Sequence, residues 1–284
     1  MKSTVRTKKM VECALMVAFA TVLSLFHIVE MPYGGSVTVA SMLPIVLIAY
    51  RHGTLWGLGS GAVYAVLQQL LGLKNLSYFT TWQSILAVIL LDYMVAFIAV
   101  GLGGVFRRVV RQQNLALLYG ALLVCVLRYA CHVIAGATVW AGLSIPDEAA
   151  LIYSLGYNAT YMIPETVVLA LSAYYIGSLL DFRREQPTRL ITDKAEVPSA
   201  RLMAVLAGLL AVVTVAVDAS LIFANVQDPE SGAFMPSLLF AEPFVESFWL
   251  KAVIVTAVAV GGIVALLILR RRMLKKAVTE QPEA

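Results

Sequence analysis

Residues 82–105 read WQSILAVILLDYMVAFIAVGLGGV, a run in which Asp92 is the single charged side chain. A helix needs about 20 predominantly apolar residues to cross a lipid bilayer, and this run supplies them. Similar apolar runs occupy residues 10–29, 37–50, 54–73, 114–140, 157–180, 202–224 and 247–269. The sequence therefore predicts an all-α membrane protein with eight transmembrane helices.

The composition supports the same fold class. The chain has 284 residues, of which 60% are hydrophobic and 13% are charged, and its mean hydropathy is +0.84. Soluble domains carry about 25% charged residues. A water-facing surface could not be covered by so few polar side chains, so lipid must be the main solvent. The net charge of +4 does not indicate a nucleic-acid partner.

The positive residues predict the orientation, because loops rich in Lys and Arg stay in the cytoplasm. If the N-terminus is inside, every one of the 21 Lys and Arg residues except Lys74, Arg128 and Lys251 falls on the cytoplasmic side. The outer loops then hold acidic residues, namely Glu30, Asp147, Glu148, Asp228, Glu230, Glu242 and Glu246. We therefore expect both termini to be cytoplasmic.

A charged, proline-containing stretch divides the chain. It covers residues 181–199, which we interpret as a cytoplasmic linker. Residues 1–180 before it form a predicted six-helix domain, and residues 200–284 after it form a predicted two-helix hairpin with a basic tail. Within the first domain, the Gly/Pro-rich residues 32–35 predict a loop that dips toward the helix bundle.

Motifs for catalysis and cofactor binding are missing from the sequence. It has no GxxxxGK[ST], HExxH or GxSxG pattern, and its three cysteines form no CxxC pair. The glycine-rich run Gly57–Gly61 lies inside an apolar helix, where small residues favour close helix packing. We therefore expect no enzyme activity, cofactor or metal site, and expect a partner or an ion gradient to supply energy for uphill transport.

Polar side chains converge at one depth of the predicted bundle. Such groups are costly in a membrane, by roughly 2.5–3.5 kcal/mol for a charge, and so they indicate function. Three predicted helices place polar side chains in the outer half of the membrane. These residues are Asp92, Tyr93, His132, Trp140, Tyr153, Tyr157, Asn158 and Tyr161. Aromatic faces and a carboxylate suit a flat, cationic, hydrogen-bonding ligand.

Each of these residues also has a structural interpretation. Trp140 and Tyr153 are typical of aromatic residues at the membrane interface. His132 is compatible with ordinary packing, and Asp92 with an ion pair to Arg128. Arg128 and Glu165 are more often structural than ligand-binding at such positions. The convergence of the whole set favours a pocket open to the outside.

The first 180 residues resemble the thiamine-specific substrate-binding (S) components of energy-coupling factor (ECF) transporters, the ThiT family. The resemblance is strongest in the spacing of His132 from Trp140 and of Tyr153 from Asn158. The matching stretches are Glu12–Ala18, Tyr33–Ser36, Leu43–Ile45, Arg51–Gly53, Leu91–Phe97, Arg128–Gly136 with Trp140, and Tyr153–Asn158.

This resemblance implies a bacterial cell-membrane protein that captures thiamine from outside. A transmembrane coupling protein and two cytoplasmic ATPases would supply the energy, and the chain itself would need no cofactor. The family's ligand site maps onto Asp92, Tyr93, His132, Trp140, Tyr153 and Asn158, with Tyr64 at a position that is aromatic in the family. Trp140 would stack on a ligand ring, and Tyr153 and Asn158 would meet the aminopyrimidine edge.

The sequence departs from the family at the first outer loop. Some relatives carry tryptophan where this chain has Gly35 and glutamate where it has Val39. One stacking wall is then missing, and Tyr33, Tyr78 and Trp82 are the candidates to replace it. Asp92 stands for the usual glutamate and is one methylene shorter, so a water could bridge it to the ligand.

Two further features concern partners. Ala14 and Ala18 form a small-xxx-small face that docks on the coupling protein in the family, or else packs within the chain. The last two helices lie outside the resemblance. Their Asp218 and Lys251 are expected at similar depth, where they would form an ion pair unless Lys251 extends to the membrane surface.

Three other functions remain open from the sequence. The ligand could be a thiamine precursor or another vitamin, since Gly35 alters the predicted pocket. The chain could be an ion-coupled carrier, which predicts inverted repeats and broken helices. It could also be a membrane scaffold that binds no ligand.

Overall fold

The computed structural model describes residues 2–31, 34–141, 150–190, 197–226 and 248–279, together with Met235. The helices of these residues are α1 Lys2–Ser24, α2 Leu43–His52, α3 Thr54–Leu71, α4 Trp82–Arg108, α5 Gln113–Thr138, α6 Ala150–Leu179, α7 Pro198–Val226 and α8 Phe248–Thr279. Two short hairpins pair β1 His27–Glu30 with β2 Ser36–Thr38, and β3 Leu180–Asp181 with β4 Thr188–Arg189. A 3₁₀ helix covers Leu73–Tyr78.

The predicted all-α membrane fold is confirmed. Five helices of the described residues, α4 to α8, are long and apolar enough to cross a membrane. The transmembrane helix predicted over residues 37–50 is wrong, because β2 covers Ser36–Thr38 and helix α2 begins only at Leu43. Helix α2 has ten residues, which is about 15 Å, and is too short to cross alone. Helix α1 carries the charged residues Lys8, Lys9 and Glu12, and α3 carries the polar pair Gln68 and Gln69.

The first predicted span is wrong at its end. The helix expected over residues 10–29 stops at Ser24, and β1 begins at His27. Strand β1 pairs antiparallel with β2, so that His27 lies opposite Thr38 and Glu30 opposite Ser36. The backbone polar groups of the two strands are thus satisfied by their pairing, and the chain continues from β2 toward the short helix α2.

Helix α4 changes its hydrogen-bond pattern along its length. It begins as an α-helix at Trp82, where the Thr81 hydroxyl accepts a bond from the Ser84 amide at 3.3 Å. Residues Ile89–Val95 then form a π-helix, and Ala99–Arg108 form a 3₁₀ helix. Segments of π-helix are rare and frequent at functional sites. This one contains Asp92 and Tyr93.

Glycines bring α3 against α4 at backbone contact. A Cβ atom on Gly57 would collide with the carbonyl oxygen of Gly101, and one on Gly61 would lie 3.0 Å from the carbonyl oxygens of Phe97 and Ile98. Gly59, between them, faces open space. The close-packing interpretation of the glycine-rich run is therefore confirmed for Gly57 and Gly61.

The chain divides into two compact units, and the first extends to Arg189. A buried Arg51 holds the end of this unit in place. Its guanidinium pairs with Glu12 on α1 and donates to the carbonyl oxygens of Phe182 at 3.2 Å and Glu185 at 3.1 Å. The segment after α6 is therefore attached to α1 and α2.

The second unit contains α7 and α8, which pack against each other. Among the residues described in this unit, no ion pair joins Asp218 to Lys251, so the predicted pair does not form. The Thr256 hydroxyl on α8 donates to Asp218 Oδ2 at 2.6 Å instead. Lys251 is exposed, as the alternative interpretation expects.

Candidate functional site

A cavity of about 280 Å³ lies in the first unit, among α4, α5, α6 and the β1–β2 hairpin. Eight of the residues predicted from the sequence line it, namely Gly35, Asp92, Tyr93, His132, Trp140, Tyr157, Asn158 and Tyr161. Apolar helices surround a lining that is rich in polar and aromatic side chains. This is the usual construction of a small-molecule site, in which a few polar groups fix the ligand's orientation.

Asp92 is the centre of the polar network. Its Oδ1 lies 2.9 Å from Nδ1 of His132, and its Oδ2 accepts a bond from the indole nitrogen of Trp140 at 3.0 Å. The π-helical turn of α4 places this carboxylate opposite the end of α5. One aspartate thus holds both rings, and it lines the cavity with acceptor capacity left for a ligand.

Trp140 presents a fixed ring to the cavity. It is 8% exposed, and Phe79 meets it edge to face with the ring centroids 4.6 Å apart. Its N–H is bonded to Asp92, so the plane of the indole cannot turn without breaking that bond. A ring held in this way suits stacking on a planar ligand.

Asn158 is bonded on both ends of its amide. Its Nδ2 donates to the carbonyl oxygen of Ser154 at 2.9 Å and to that of His132 at 3.3 Å. Its Oδ1 accepts a bond from the Tyr161 hydroxyl. Asn158 therefore joins α6 to α5 and keeps one acceptor position for a ligand.

Glu165 combines a structural contact with a place in the cavity wall. It is 2% exposed and accepts two bonds from Thr38, from the amide at 2.6 Å and from the hydroxyl at 2.8 Å. Thr38 lies at the end of β2, so this carboxylate ties the hairpin to α6. The structural role expected for Glu165 is present, and the residue also lines the cavity.

Arg128 does not pair with Asp92, contrary to one interpretation of the sequence. Its Nη2 lies 3.4 Å from Nε2 of His132, and its guanidinium stacks over the ring of Phe97 at 4.4 Å. The residue is 8% exposed and lines the cavity. It therefore reaches Asp92 only through His132.

An ion pair lies at the edge of the cavity lining. Lys74 Nζ is 2.9 Å from Glu30 Oε1, and this contact lowers the pKa of the Glu30 carboxyl below its ordinary value. The pair connects β1 to the 3₁₀ helix Leu73–Tyr78. Both side chains are largely exposed, so water screens their attraction.

Two residues from the predicted set do not line the cavity. Tyr64 is fully buried and meets the Phe97 ring edge to face at 5.4 Å. Tyr153 packs against the apolar cluster that contains Phe79 and Trp140. Both lie behind side chains that face the cavity. The prediction failed for them because sequence spacing gives the depth of a residue along a helix better than the direction of its side chain.

The structure shows the positions of two of the aromatic residues that could replace the missing stacking wall. The Tyr78 ring centroid lies 5.9 Å from that of Trp140, and Trp82 is 69% exposed. Neither lines the cavity, and Tyr33 lies outside the described residues.

Gly35 has a φ of +91°, and a Cβ there would lie 2.7 Å from the Tyr161 ring. Glycine is required here by both backbone and space.

Several lining residues were not predicted from the sequence. Thr38 comes from β2, Gln68 from α3, and Lys74 and Asn75 from the 3₁₀ helix. Asn75 donates to the Tyr93 hydroxyl at 3.0 Å and so positions that ring. These residues are polar groups in a short strand, in the last turn of α3 and in a 3₁₀ helix, where the sequence carries no periodic signal.

Ala14 and Ala18 lie on the outer face of α1. Both are exposed, whereas Cys13 and Val17 on the other face are buried. Neither alanine is buried in the first unit, and the docking of this face on a coupling protein stays a prediction. Separately, within the described residues no group of three His, Cys, Asp or Glu side chains is placed to hold a metal ion.

Helices that cross a membrane around a polar, aromatic cavity define a membrane-embedded ligand-binding protein. Comparison with known proteins identifies its family. Residues 10–181 match the sequence profile of the family described as Thiamine transporter protein (Thia_YuaJ). This match covers more than half of the chain, and the chain belongs to that family.

One curated relative and one solved structure agree with this assignment. The thiamine transporter ThiT of Bacillus subtilis (strain 168) is 37% identical over 174 residues, which are 57% of this chain and 86% of the relative. The structure of ThiT from Listeria monocytogenes matches with a TM-score of 0.50 and 22% identity. It covers 61% of this chain and 94% of the Listeria chain, and at that identity it supports the fold.

Proposed function

We propose that this protein is the thiamine-binding subunit of an ECF-type importer. It captures thiamine from outside, and partner subunits drive uptake with ATP. The observation that carries the proposal is the cavity in which Asp92 holds His132 and Trp140, in a chain of the thiamine transporter family. No further component is needed for binding itself.

The chemistry of the cavity fits the chemistry of thiamine. Thiamine is a cation with two aromatic rings, a thiazolium and an aminopyrimidine. Two acidic side chains, Asp92 and Glu165, lie in the buried wall of the cavity with the guanidinium of Arg128, and the Asp92 carboxylate there suits a cationic ligand. Trp140 and the tyrosine rings add aromatic faces, which attract a flat cation.

Each side chain then has a proposed role. Asp92 supplies countercharge to the ligand and sets the Trp140 ring for stacking. The free acceptor position of Asn158 Oδ1 receives a donor from the aminopyrimidine edge. Tyr93, held by Asn75, closes the cavity toward the 3₁₀ helix. Tyr64 and Tyr153 act from behind, by supporting the side chains that face the ligand.

The proposed orientation of the chain in the membrane follows from the distribution of its Lys and Arg residues. With both termini cytoplasmic, the β1–β2 hairpin and the cavity lie in the outer half of the membrane, where a scavenged vitamin arrives. The domain assignment follows as well. The first unit binds thiamine, and α7 and α8 form an additional membrane hairpin to which we assign no part in binding.

Energy for uptake comes from partners in this proposal. The sequence contains no P-loop, and the exposed face of Ala14 and Ala18 on α1 is available for a coupling protein. Small residues allow close approach of a partner helix. Replacing both alanines by tryptophan should prevent co-purification with the coupling protein and leave thiamine binding by the chain unchanged.

Uptake into proteoliposomes tests the proposed function. We expect labelled thiamine to accumulate only when the chain is reconstituted with the coupling protein and both ATPases, with ATP on the ATPase side. Accumulation by the chain alone under an ion gradient would contradict the proposal. Uptake of a pyrimidine precursor in preference to thiamine would keep the class of transporter and change its substrate.

A further inference from the structure

Arg128 is a buried cation with weak partners. Its Nη1 lies 3.0 Å from the thioether sulfur of Met42, a poor acceptor, and its Nε has no hydrogen-bond partner among the described residues. Within those residues no carboxylate forms an ion pair with it. Burying an arginine in this way is costly, which indicates that its position serves the site.

The contact with His132 restricts where that ring carries its proton. A guanidinium has five N–H donors and no acceptor. The Nε2 of His132, 3.4 Å from Arg128 Nη2, must therefore offer a lone pair rather than a proton. The ring proton is left on Nδ1, which lies 2.9 Å from Asp92 Oδ1 and can donate to it.

The effect of Arg128 continues to the indole ring. Asp92 receives the Nδ1 proton of His132 on one oxygen and the indole N–H of Trp140 on the other. If His132 carried its proton on Nε2, its Nδ1 lone pair would face the carboxylate and repel it. The position of Asp92, and with it the plane of Trp140, depends on the tautomer of His132.

We propose that Arg128 is a positioning residue of the thiamine site, which keeps His132 in the tautomer protonated on Nδ1 so that Asp92 and Trp140 face the ligand in one arrangement. This inference rests on the proposed function for the identity of the ligand. The tautomer itself can be measured without any ligand.

Nitrogen-15 NMR of the full-length protein in detergent micelles tests the proposal. The chain has three histidines, and a His132→Gln variant identifies the signals of His132. The ¹⁵N shifts of Nδ1 and Nε2 separate the two neutral tautomers from the imidazolium. We expect His132 of the native chain to be neutral and protonated on Nδ1.

Two variants of Arg128 separate positioning from folding. Arg128→Met keeps most of the side-chain volume and removes the donors, whereas Arg128→Lys keeps a donor. We expect the methionine variant to let Nε2 of His132 take up a proton, so that the ring is an imidazolium instead of the neutral Nδ1 tautomer, and to bind thiamine about tenfold more weakly, as for one lost net hydrogen bond. The lysine variant should keep the tautomer and bind within about threefold of the native chain.

The outcomes are distinguishable. A native His132 protonated on Nε2 or on both nitrogens would overturn the proposal, and so would a methionine variant with native tautomer and affinity. If the methionine variant does not fold, the spectra of the native chain and of the lysine variant decide. The expected tautomer in a chain that binds no thiamine would overturn the proposed function and leave the positioning role intact.

Discussion

Asp92 is the residue on which the proposed site depends most. Its two oxygens hold His132 and Trp140, and its charge is the nearest countercharge to a ligand beside those rings. A hydrogen bond to a charged group contributes about 1.5–3 kcal/mol, which is more than a neutral one. Losing the charge therefore affects both the ligand contact and the arrangement of the rings.

The Asp92→Asn variant should bind thiamine about 10- to 150-fold more weakly than the native chain, the equivalent of about 1.5–3 kcal/mol. Isothermal titration calorimetry on the purified protein measures this. Asp218→Asn is a matched control, because that aspartate bonds Thr256 in the second unit and lines no part of the cavity. Equal loss in both variants would show that the effect is not local.

Glu165 should matter for stability. Both bonds from Thr38 go to its carboxylate, and a glutamine there would turn an amide donor toward one of them. We expect Glu165→Gln to destabilise the protein by about 1–3 kcal/mol, as for a buried donor left without its acceptor. Thermal unfolding in detergent measures it, with the exposed Glu185→Gln as control. Unchanged unfolding in both variants would rule out the bonds as a stabilising contact.

At the scale of elements, the contact between α3 and α4 is set by glycine. The two backbones touch at Gly57 and Gly101, so a side chain at either position must push the helices apart. Because α4 carries Asp92 and Tyr93, the contact also sets the position of the π-helical segment relative to α3.

Gly57→Ala should lower the stability by about 1–3 kcal/mol, the usual cost of overpacking. Gly59→Ala is the matched control, since a Cβ at Gly59 meets open space and alanine favours the helix. Thermal unfolding of the two variants gives the comparison. A Gly57 variant as stable as the Gly59 variant would contradict the backbone contact.

The β1–β2 hairpin carries a pH-dependent contact. Lys74 lowers the pKa of Glu30, so the contact stabilises the folded protein above the carboxyl's ordinary pKa and is lost as the pH falls through the lowered value. In a Lys74→Met variant the pKa of Glu30 should rise toward its ordinary value. Carbon-13 NMR titration of the Glu30 carboxyl measures this, and an unchanged pKa would exclude the contact in solution.

For the whole molecule, hydropathy predicted the helices because lipid demands long apolar runs with internally bonded backbone. It did not predict β1 and β2, since strands of four and three residues are too short for an alternating pattern. The π-helical turn at Asp92 was also not predictable, because it changes hydrogen bonding without changing composition.

The sequence predicted the depth in the membrane at which the site residues lie. Asp92, His132, Trp140 and Asn158 were placed in one layer by their positions along apolar runs, and they do line one cavity. Direction was less predictable, as Tyr153 shows by packing against the cluster around Trp140. The tertiary packing of α5 on α6 decides which side chains face inward. This packing cannot be read from the sequence of a single helix.

Direct titration of the purified protein with thiamine, followed by tryptophan fluorescence, tests whether the cavity binds this vitamin. We expect saturable binding with a Kd below about 1 μM, corresponding to more than about 8 kcal/mol, and quenching that is reduced in a Trp140→Phe variant. A folded chain that shows no saturable binding up to about 1 mM thiamine, where even a binding free energy of about 4 kcal/mol would be detected, would contradict it.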